Sequence, residues 1–332
     1  MKARQFKRLA VALSAIGLCC VSARAGPYSN IFFFGDSVSD SGNAALAIGQ
    51  ASGVPQAVSG NGYIPDLPYG PSGRFSNGPV WAEVFAARYG LSATPSLAGG
   101  TDFTFAGART AGANVPVPTL TTQAAMFLGG TGGSAPADAL YVIAEVGNDA
   151  RDALVAIGAG ADVAQTVASA SADHASHLGD LIGTLRSAGA VHFLVFDNVN
   201  LGLVTAIASL CHDASALASA LTWNMNEALL DLIGAESGIR VFDTFGFVTK
   251  VVQDPGAFGF TNATDACGAS TGADCTRYVF WDGLHPTAAM HERIATAAVP
   301  EPSMASLLAW GLTCLMGMSR RRREDGSALK HP

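Results

Sequence analysis

Uninterrupted apolar runs mark the predicted strands of this chain. The clearest is Ile31 to Phe34, four apolar residues that stop at Gly35. A short run without polar alternation is typical of a strand buried on both faces, as at the centre of an α/β sheet. Four further segments are predicted as strands: Asp102 to Ala106, Ala139 to Val146, Val191 to Val199 and Ile239 to Asp243.

Helical patterns alternate with these strands. The predicted helices are Asn43 to Gln50, Val80 to Tyr89, Ala161 to Ala188 (one long helix or two broken ones), Asp213 to Ala235 and Thr287 to Ala298. Asn77 and Asp213 are predicted to cap the second and fourth of them. Residues 53–73 are rich in Gly, Pro and Ser, and a loop of this length is usually a binding or lid element. The alternation predicts an α/β fold: a three-layer, flavodoxin-like α/β/α sandwich around a parallel five-stranded sheet.

The first 25 residues have the organisation of a signal peptide. Four basic residues lie within the first eight, an apolar run covers Leu9 to Val21, and Ala23-Arg24-Ala25 fits a cleavage site. The alternative is a membrane anchor, but this run is shorter than the roughly 20 residues that a spanning helix needs. We therefore expect residues 1–25 to be removed on export.

Residues 299–332 have a second processing pattern. Val299-Pro300-Glu301-Pro302-Ser303 precedes an apolar run, Met304 to Met318, and four arginines follow at 320–323. The pattern resembles the PEP-CTERM sorting signal of Gram-negative bacteria that make exopolysaccharide. This resemblance implies transient inner-membrane anchoring, cleavage near residues 300–302 by an exosortase-like sorting protease, and a chain that is secreted or held at the cell surface or in the matrix. A permanent single-span anchor is the alternative.

Setting both ends aside changes the charge of the chain. The full 332 residues carry a net charge of −7, whereas residues 26–300 contain 23 acidic and 9 basic residues, a net charge of −14. Such an acidic body argues against nucleic acid or an anionic membrane as a standing partner. Because we find no repeat and no linker, residues 26–298 are interpreted as one domain.

Three cysteines lie outside the two end segments. Cys267 and Cys275 are eight residues apart in a loop rich in Gly, Ser and Thr, which favours a local disulfide in an oxidising compartment. Cys211 would then be a lone thiol. A metal site is the alternative, but the chain has no Cys-x-x-Cys motif. We expect neither a metal nor an organic cofactor.

Two polar stretches carry the candidate chemistry. Ser37 follows the first strand, at the sheet edge where open α/β folds bind ligands. Asp282 and His285 are three residues apart before the last helix, so the carboxylate can bind one imidazole nitrogen while the other nitrogen faces Ser37. Serine becomes a nucleophile when a base takes its proton and a third group orients that base. The alternatives are ordinary turn residues and a surface histidine.

An acyl-transfer site also needs donors for the oxyanion that develops on the substrate. The candidates are the backbone N–H groups of Ser37 and Gly78 and the side-chain amide of Asn148. None of His174, His177, His192 and His212 has an acidic residue three positions before it, as His285 has Asp282. We therefore expect them to lie outside the catalytic site.

These motifs resemble the GDSL lipase and esterase family, also called SGNH hydrolases. The resemblance covers residues 30–298 and rests on four blocks in order: Gly35-Asp36-Ser37, Gly78, Gly147-Asn148-Asp149 and Asp282-x-x-His285. It implies an SGNH hydrolase fold, with Ser37 as the nucleophile, His285 as the base and Asp282 as its orienting acid. Gly78 and Asn148 join Ser37 as the implied oxyanion donors.

The chain departs from the family pattern at three positions. Val38 replaces the leucine of the family name, Glu145 stands where small residues are common, and Asn200 falls where proline is frequent. We expect these changes to affect substrate shape more than activity. The predicted function is a secreted serine esterase or lipase whose substrate is a lipid, a short-chain ester or an acetylated polysaccharide. The alternatives are an exopolysaccharide O-acetylesterase and a catalytically idle protein that binds the extracellular matrix.

Overall fold

The computed structural model of the protein describes residues 27–49, 56–112 and 115–299. The predicted signal peptide, residues 1–25, and the predicted sorting signal from residue 300 onward lie outside the described residues. The chain divides into two units, Met1–Ala295 and Thr296–Pro332. Of the second unit only residues 296–299 are described, and the fold below is that of the first.

Four parallel strands form the central sheet. They are β1 (Ile31–Gly35), β2 (Leu140–Ala144), β3 (His192–Phe196) and β4 (Ile239–Phe242), in the order β1-β2-β3-β4. Phe33 pairs with Val142, Val142 with Leu194 and Leu194 with Arg240, so one register line crosses all four strands. Every residue of β1 and β2 is buried, as their unbroken apolar runs predicted. The predicted α/β class with a parallel sheet is confirmed.

The predicted strand at Asp102 to Ala106 is wrong as a strand. This segment runs beside β1. Phe103, Phe105 and the preceding Thr101 make three backbone hydrogen bonds with β1, but only one bridge forms, between Phe33 and Asp102. The backbone N–H of Gly35 donates to the side chain of Gln123 at 2.8 Å and so does not continue the ladder. The sheet therefore has four strands rather than five. If the segment at residues 102–106 is counted as an edge strand next to β1, the five strands numbered by their position in the sequence stand side by side as 2-1-3-4-5, which is a doubly wound arrangement.

Nine α-helices lie within the described residues. They are α1 (Asn43–Ala47), α2 (Trp81–Arg88), α3 (Leu120–Gly130), α4 (Asn148–Gly158), α5 (Val163–Ser187), α6 (Thr205–Ala208), α7 (His212–Ile233), α8 (Thr244–Gln253) and α9 (Ala288–Ala298). The long alanine-rich pattern forms one helix, α5. The sequence did not predict α3, α4, α6 or α8. Within the described ranges, none of the helices combines the length and the hydropathy of a membrane-spanning segment.

Alternate side chains of the strands build a core on each face of the sheet. On one face, Phe32 and Phe34 of β1 pack with buried residues of α3, α5 and α7. On the other, Phe33 contacts the rings of Trp81 and Phe85 from α2. Helices on both faces of a parallel sheet make the predicted three-layer sandwich.

Two predicted helix caps are wrong. Asn77 does not cap α2; its side-chain oxygen instead accepts a hydrogen bond from the backbone N–H of Ala288, the first residue of α9. Asp213 lies inside the first turn of α7, which begins one residue earlier. The sequence identified polar residues near helix starts, but not which helix each of them serves.

A small parallel pair, β5 (Asn262–Ala266) and β6 (Tyr278–Phe280), follows the central sheet. The structure joins Cys267 to Cys275 in a disulfide within the connection between these two strands. Because β6 ends two residues before Asp282, this pair holds the start of the second polar stretch.

Candidate active site

The turn that carries Ser37 is held tightly against the end of β2. A Cβ atom on Gly35 would lie 2.5 Å from the carbonyl oxygen of Ala144, so only glycine fits there. The two carboxylate oxygens of Asp36 accept hydrogen bonds from the backbone N–H groups of Val38 and Val146. Burial raises the pKa of Asp36 to about 6. Ser37 is thereby fixed where the order of the sheet reverses, the usual ligand position of this architecture.

Ser37, His285 and Asp282 form a continuous chain of hydrogen bonds. Nε2 of His285 lies 2.8 Å from Oγ of Ser37, and Nδ1 of His285 lies 2.7 Å from Oδ2 of Asp282. All three side chains are buried. The structure therefore brings together residues that are 248 positions apart in the chain, as their motifs predicted.

The Asp282 carboxylate also organises the loop that holds His285. Its Oδ1 accepts hydrogen bonds from the backbone N–H groups of Leu284 and His285, at 2.7 and 2.6 Å. Burial alone would raise the pKa of Asp282. The charge of His285 and these hydrogen bonds outweigh burial and leave the pKa of Asp282 below its ordinary value. Asp282 is thus an ionised carboxylate that orients the imidazole.

Tyr69 is a fourth member of this group, and the sequence did not predict it. Its hydroxyl donates to Oδ2 of Asp282 at 2.7 Å, and its ring meets Trp281 edge-on, with centroids 5.3 Å apart. Burial and the charge of Asp282 raise the pKa of Tyr69 well above its ordinary value, so the hydroxyl remains a donor. Tyr69 lies in the predicted long loop, which therefore supports the site from 213 positions away in the chain.

Asn148 faces the same cavity as Ser37. Its Nδ2 donates one hydrogen bond to the carbonyl oxygen of Ala108 at 2.9 Å, and its Oδ1 accepts one from Arg151 at 3.3 Å. One N–H of the amide remains for a ligand. The cavity has a volume of about 30 Å³ and is lined by Asp36, Ser37, Val38, Val146, Gly147, Asn148, Arg151, Val199, Leu201 and Leu284.

Gly78 is not among the residues that line this cavity. It lies in the loop before α2, where an added Cβ would lie 2.9 Å from Cβ of Ala288. Ser76 of the same loop donates to the carbonyl oxygen of Pro286, the residue after His285. The Gly78 loop is therefore tied to the histidine loop, and glycine is needed there for close packing.

Gln123 on α3 also supports the nucleophile turn. Its side-chain amide accepts a hydrogen bond from the backbone N–H of Gly35 at 2.8 Å and donates to the Gly35 carbonyl oxygen at 2.9 Å. A buried glutamine that satisfies both backbone groups of one residue fixes the end of β1. Nothing in the local sequence around Gln123 indicates this partner, because the two residues are 88 positions apart.

Glu145 caps the helix that carries Asn148. Its Oε1 accepts hydrogen bonds from three successive backbone N–H groups, those of Gly147, Asn148 and Asp149. The first N–H groups of a helix have no partner within the helix and bind a carboxylate well. Burial, followed by the charges of Asp149 and Asp36, raises the pKa of Glu145 well above its ordinary value.

His174 has acidic partners in the folded chain that the spacing of residues in the sequence did not indicate. Its Nδ1 lies 3.1 Å from Oδ2 of Asp149 and 3.5 Å from Oε2 of Glu145. These three residues form one group whose ligand atoms all lie within 4.8 Å of each other, within the ranges that the structure describes. By residue type they could hold a divalent cation. Sequence spacing did not reveal the group because α5 meets the end of β2 only in the folded chain.

The hydrogen bonds around His174 place its proton on Nδ1. Oδ1 of Asn226 accepts from the backbone N–H of Asn198, so it is an acceptor and the Asn198 atom beside it must be the amide nitrogen. That nitrogen also lies 3.1 Å from Nε2 of His174, which therefore accepts. The Nδ1–H then donates to the Asp149 carboxylate, and Oε2 of Glu145 lies 3.5 Å from the same nitrogen. A cation would have to displace this proton, so the network favours a proton at this position over a metal.

Comparison with known proteins agrees with this geometry. The profile of the GDSL-like lipase/acylhydrolase family matches residues 31–298. The chain belongs to this family. The GDSL family assignment makes the protein a hydrolase that acts on ester bonds, which confirms the class predicted from the motifs.

Plant GDSL proteins are among its relatives. One GDSL esterase/lipase of Arabidopsis thaliana is 28% identical over 338 residues, which cover 89% of this chain and 96% of the relative. A second from the same plant is 24% identical over 376 residues, 91% of each chain. A third, the GDSL esterase/lipase APG, is 35% identical over 77 residues, 18% of this chain and 22% of the relative.

Proposed function

We propose that this protein is a serine esterase that cleaves carboxylic esters through an acyl-enzyme on Ser37. The observation that carries the proposal is the buried chain of hydrogen bonds from Ser37 through His285 to Asp282, with distances of 2.8 and 2.7 Å. Each distance is within the reach that proton transfer requires.

In the proposed reaction, Nε2 of His285 takes the proton of Ser37 while Oγ attacks the ester carbonyl carbon. The oxygen that gains negative charge receives hydrogen bonds from the backbone N–H of Ser37 and the remaining amide N–H of Asn148. The family resemblance implies the Gly78 backbone N–H as a third donor, although Gly78 is not among the residues that line the cavity. His285 then protonates the departing alcohol, which leaves the acyl group on Ser37. Water, activated by His285, releases the acid and restores the serine. These steps use only side chains and backbone groups of this chain.

Substitution of the nucleophile tests the proposal. Ser37→Ala should reduce 4-nitrophenyl acetate hydrolysis by about 10⁴-fold or more and leave thermal unfolding almost unchanged, because only one oxygen is removed. His285→Ala should lower activity to a similar level, since the two residues act together. Full activity of the folded Ser37→Ala protein would refute the assignment.

The size of the cavity favours a second candidate, an O-acetylesterase of exopolysaccharide or another carbohydrate. A cavity of about 30 Å³ has room for one or two small groups, such as the methyl of an acetyl ester. Comparison of acetyl, butyryl and octanoyl esters, with an acetylated polysaccharide, separates this activity from lipase action. A catalytically idle matrix-binding protein would fail to react with a fluorophosphonate probe.

Export and sorting are part of the same proposal. The basic and apolar pattern of residues 1–25 supports a signal peptide, and the Pro-Glu-Pro, apolar and arginine pattern of residues 299–332 supports a sorting signal. Under this proposal the enzyme acts outside the inner membrane after a transient anchor is cut. Mass spectrometry of the protein released by its native host tests both ends: intact termini at residues 1 and 332 would contradict it.

A further inference from the structure

The Ser37 cavity contains one cationic side chain without a carboxylate partner. Arg151 lies on the first turn of α4 and lines the cavity together with Ser37 and Asn148. Three other arginines form ion pairs within 4.0 Å, Arg74 with Glu83, Arg109 with Asp152 and Arg186 with Glu236. Across the described ranges Arg151 has no such pair. A half-buried guanidinium in this position is costly unless something else binds it.

The acids whose charges act on Arg151 are Asp152, Asp36 and Asp282, and each of them is engaged elsewhere. Asp152 forms the ion pair with Arg109. Both oxygens of Asp36 accept backbone N–H groups, those of Val38 and Val146. The oxygens of Asp282 accept from Tyr69, Leu284 and His285, as described above. Within the described part of the chain, Arg151 donates one side-chain hydrogen bond, from Nη1 to Oδ1 of Asn148 at 3.3 Å. A guanidinium has five N–H donors, so most of its donors remain for a ligand.

The surroundings of Arg151 point to the chemistry of that ligand. Guanidinium groups recognise carboxylate and phosphate groups through paired hydrogen bonds. Residues 26–300 have a net charge of −14, so the overall field of the protein does not attract anions, and a preference for them would come from local contact. The polar walls are Asp36, whose two oxygens already accept backbone N–H groups, with Ser37 and Asn148. The rest of the lining is mostly apolar, with Val38, Val199 and Leu201 in it, and leaves little volume beside Ser37.

We infer that Arg151 is a specificity residue that binds an oxyanion group, carboxylate or phosphate, placed next to the scissile ester of a substrate with a short acyl chain. This inference rests on the proposed esterase function of Ser37. The guanidinium of Arg151 binds the anionic group of the substrate. The hydrogen bond between Arg151 and Asn148 keeps the guanidinium at a fixed distance from the amide that binds the ester oxygen. The preferred substrates are therefore small anionic esters or short-chain esters on an acidic polymer, rather than neutral long-chain lipids.

Three pairs of related esters, each with one anionic and one neutral member, test the inference. The pairs are 2-acetoxypropanoate and its methyl ester, monomethyl and dimethyl succinate, and glycerol 3-phosphate 1-acetate and monoacetin. They place the charge on the alcohol side, on the acyl side and on a phosphate, respectively, so they also identify its source. A pH-stat at pH 7.5 measures kcat/KM for both members of each pair, and the readout is the anionic-to-neutral ratio.

The unmodified enzyme should prefer the anionic member of at least one pair by about 10- to 100-fold, the usual strength of a charge-assisted hydrogen bond. Arg151→Gln should bring the anionic-to-neutral ratio close to one. Arg151→Lys should give an intermediate ratio, because Lys keeps the positive charge but lacks the paired N–H donors of the guanidinium. Arg109→Gln is the matched control: it removes the same charge near α4, outside the cavity, and should keep the ratio. If the Arg151 substitution also disturbs Asn148, kcat/KM falls equally for both members of a pair, and this loss cancels in the ratio.

Two results overturn the inference. One is an unmodified enzyme that cleaves neutral esters at least as well as anionic ones in every pair; the other is a preference that survives Arg151→Gln. In both cases ester turnover leaves the proposed function standing. If no ester of any pair is cleaved, the proposed function fails and the inference falls with it.

Discussion

Removal of the Tyr69 hydroxyl tests the support of the catalytic acid most selectively. Tyr69→Phe deletes one oxygen, which donates to Oδ2 of Asp282 at 2.7 Å. A buried hydrogen bond to a charged group contributes about 1.5 to 3 kcal/mol. Asp282 would keep its bonds from Leu284 and His285, so its orientation should survive and the lower end of this range applies. We expect about a tenfold fall in kcat, far less than the ~10⁴-fold cost typical of replacing the orienting acid itself.

The assay is steady-state hydrolysis of 4-nitrophenyl acetate, with kcat and KM measured separately. KM should change little, because Tyr69 does not line the Ser37 cavity. Tyr63→Phe is the matched control: its hydroxyl, in the same loop, donates to Gln56 rather than to the site. Thermal unfolding of both variants separates a loss of folding from a loss of catalysis. A Tyr69→Phe protein with the same kcat as Tyr63→Phe would refute the role given to this hydroxyl.

Three further predictions follow from the structure. Glu145→Ala should lower the free energy of unfolding by about 2 kcal/mol or more in urea titration, because it leaves buried N–H groups at the start of α4 unpaired. The kcat of this variant should fall as well. Glu145→Gln keeps one acceptor and should lower the free energy of unfolding less. Burial raises the pKa of Asp197 to about 7, so the folded protein holds a proton on this carboxyl that the unfolded chain, with a pKa near 4, gives up. The contribution of Asp197 to stability is therefore complete below pH 4 and is lost as the pH rises towards 7. Relative to Asp197→Asn, the unmodified protein should therefore lose up to about 1.4 kcal/mol of unfolding free energy per pH unit between pH 4 and 7, and parallel stability curves would contradict this. Cys267→Ser should lower the unfolding free energy by about 2 to 3 kcal/mol, and the same loss should follow reduction of the unmodified protein but not of the variant.

Local sequence predicted those parts of the molecule whose cause is local. The run from Ile31 to Phe34 predicted a buried strand because both faces of β1 are covered. Asp282 and His285 were predicted because their contact depends on a three-residue turn. The strand predicted at Asp102 failed for the opposite reason: the backbone N–H of Gly35, which would continue the ladder, donates to Gln123, 88 positions away.

The residues that were missed act across the fold. Tyr69, Gln123 and His174 each bind a partner between 25 and 213 positions away, and no motif surrounds them. Glu145 was noted only as a departure from the family pattern. Its position two residues before the Gly147-Asn148-Asp149 block was the available signal, because an acidic residue before a helix start is a common partner for unpaired N–H groups.

Covalent labelling shows whether Ser37 is the nucleophile that His285 activates. The intact protein is treated with a fluorophosphonate, digested and analysed by peptide mass spectrometry, with His285→Ala in parallel. We expect one modified residue, Ser37, and a much slower reaction in the His285→Ala protein. Modification of a different serine, or an unlabelled Ser37 in a protein that still cleaves esters, would contradict this expectation.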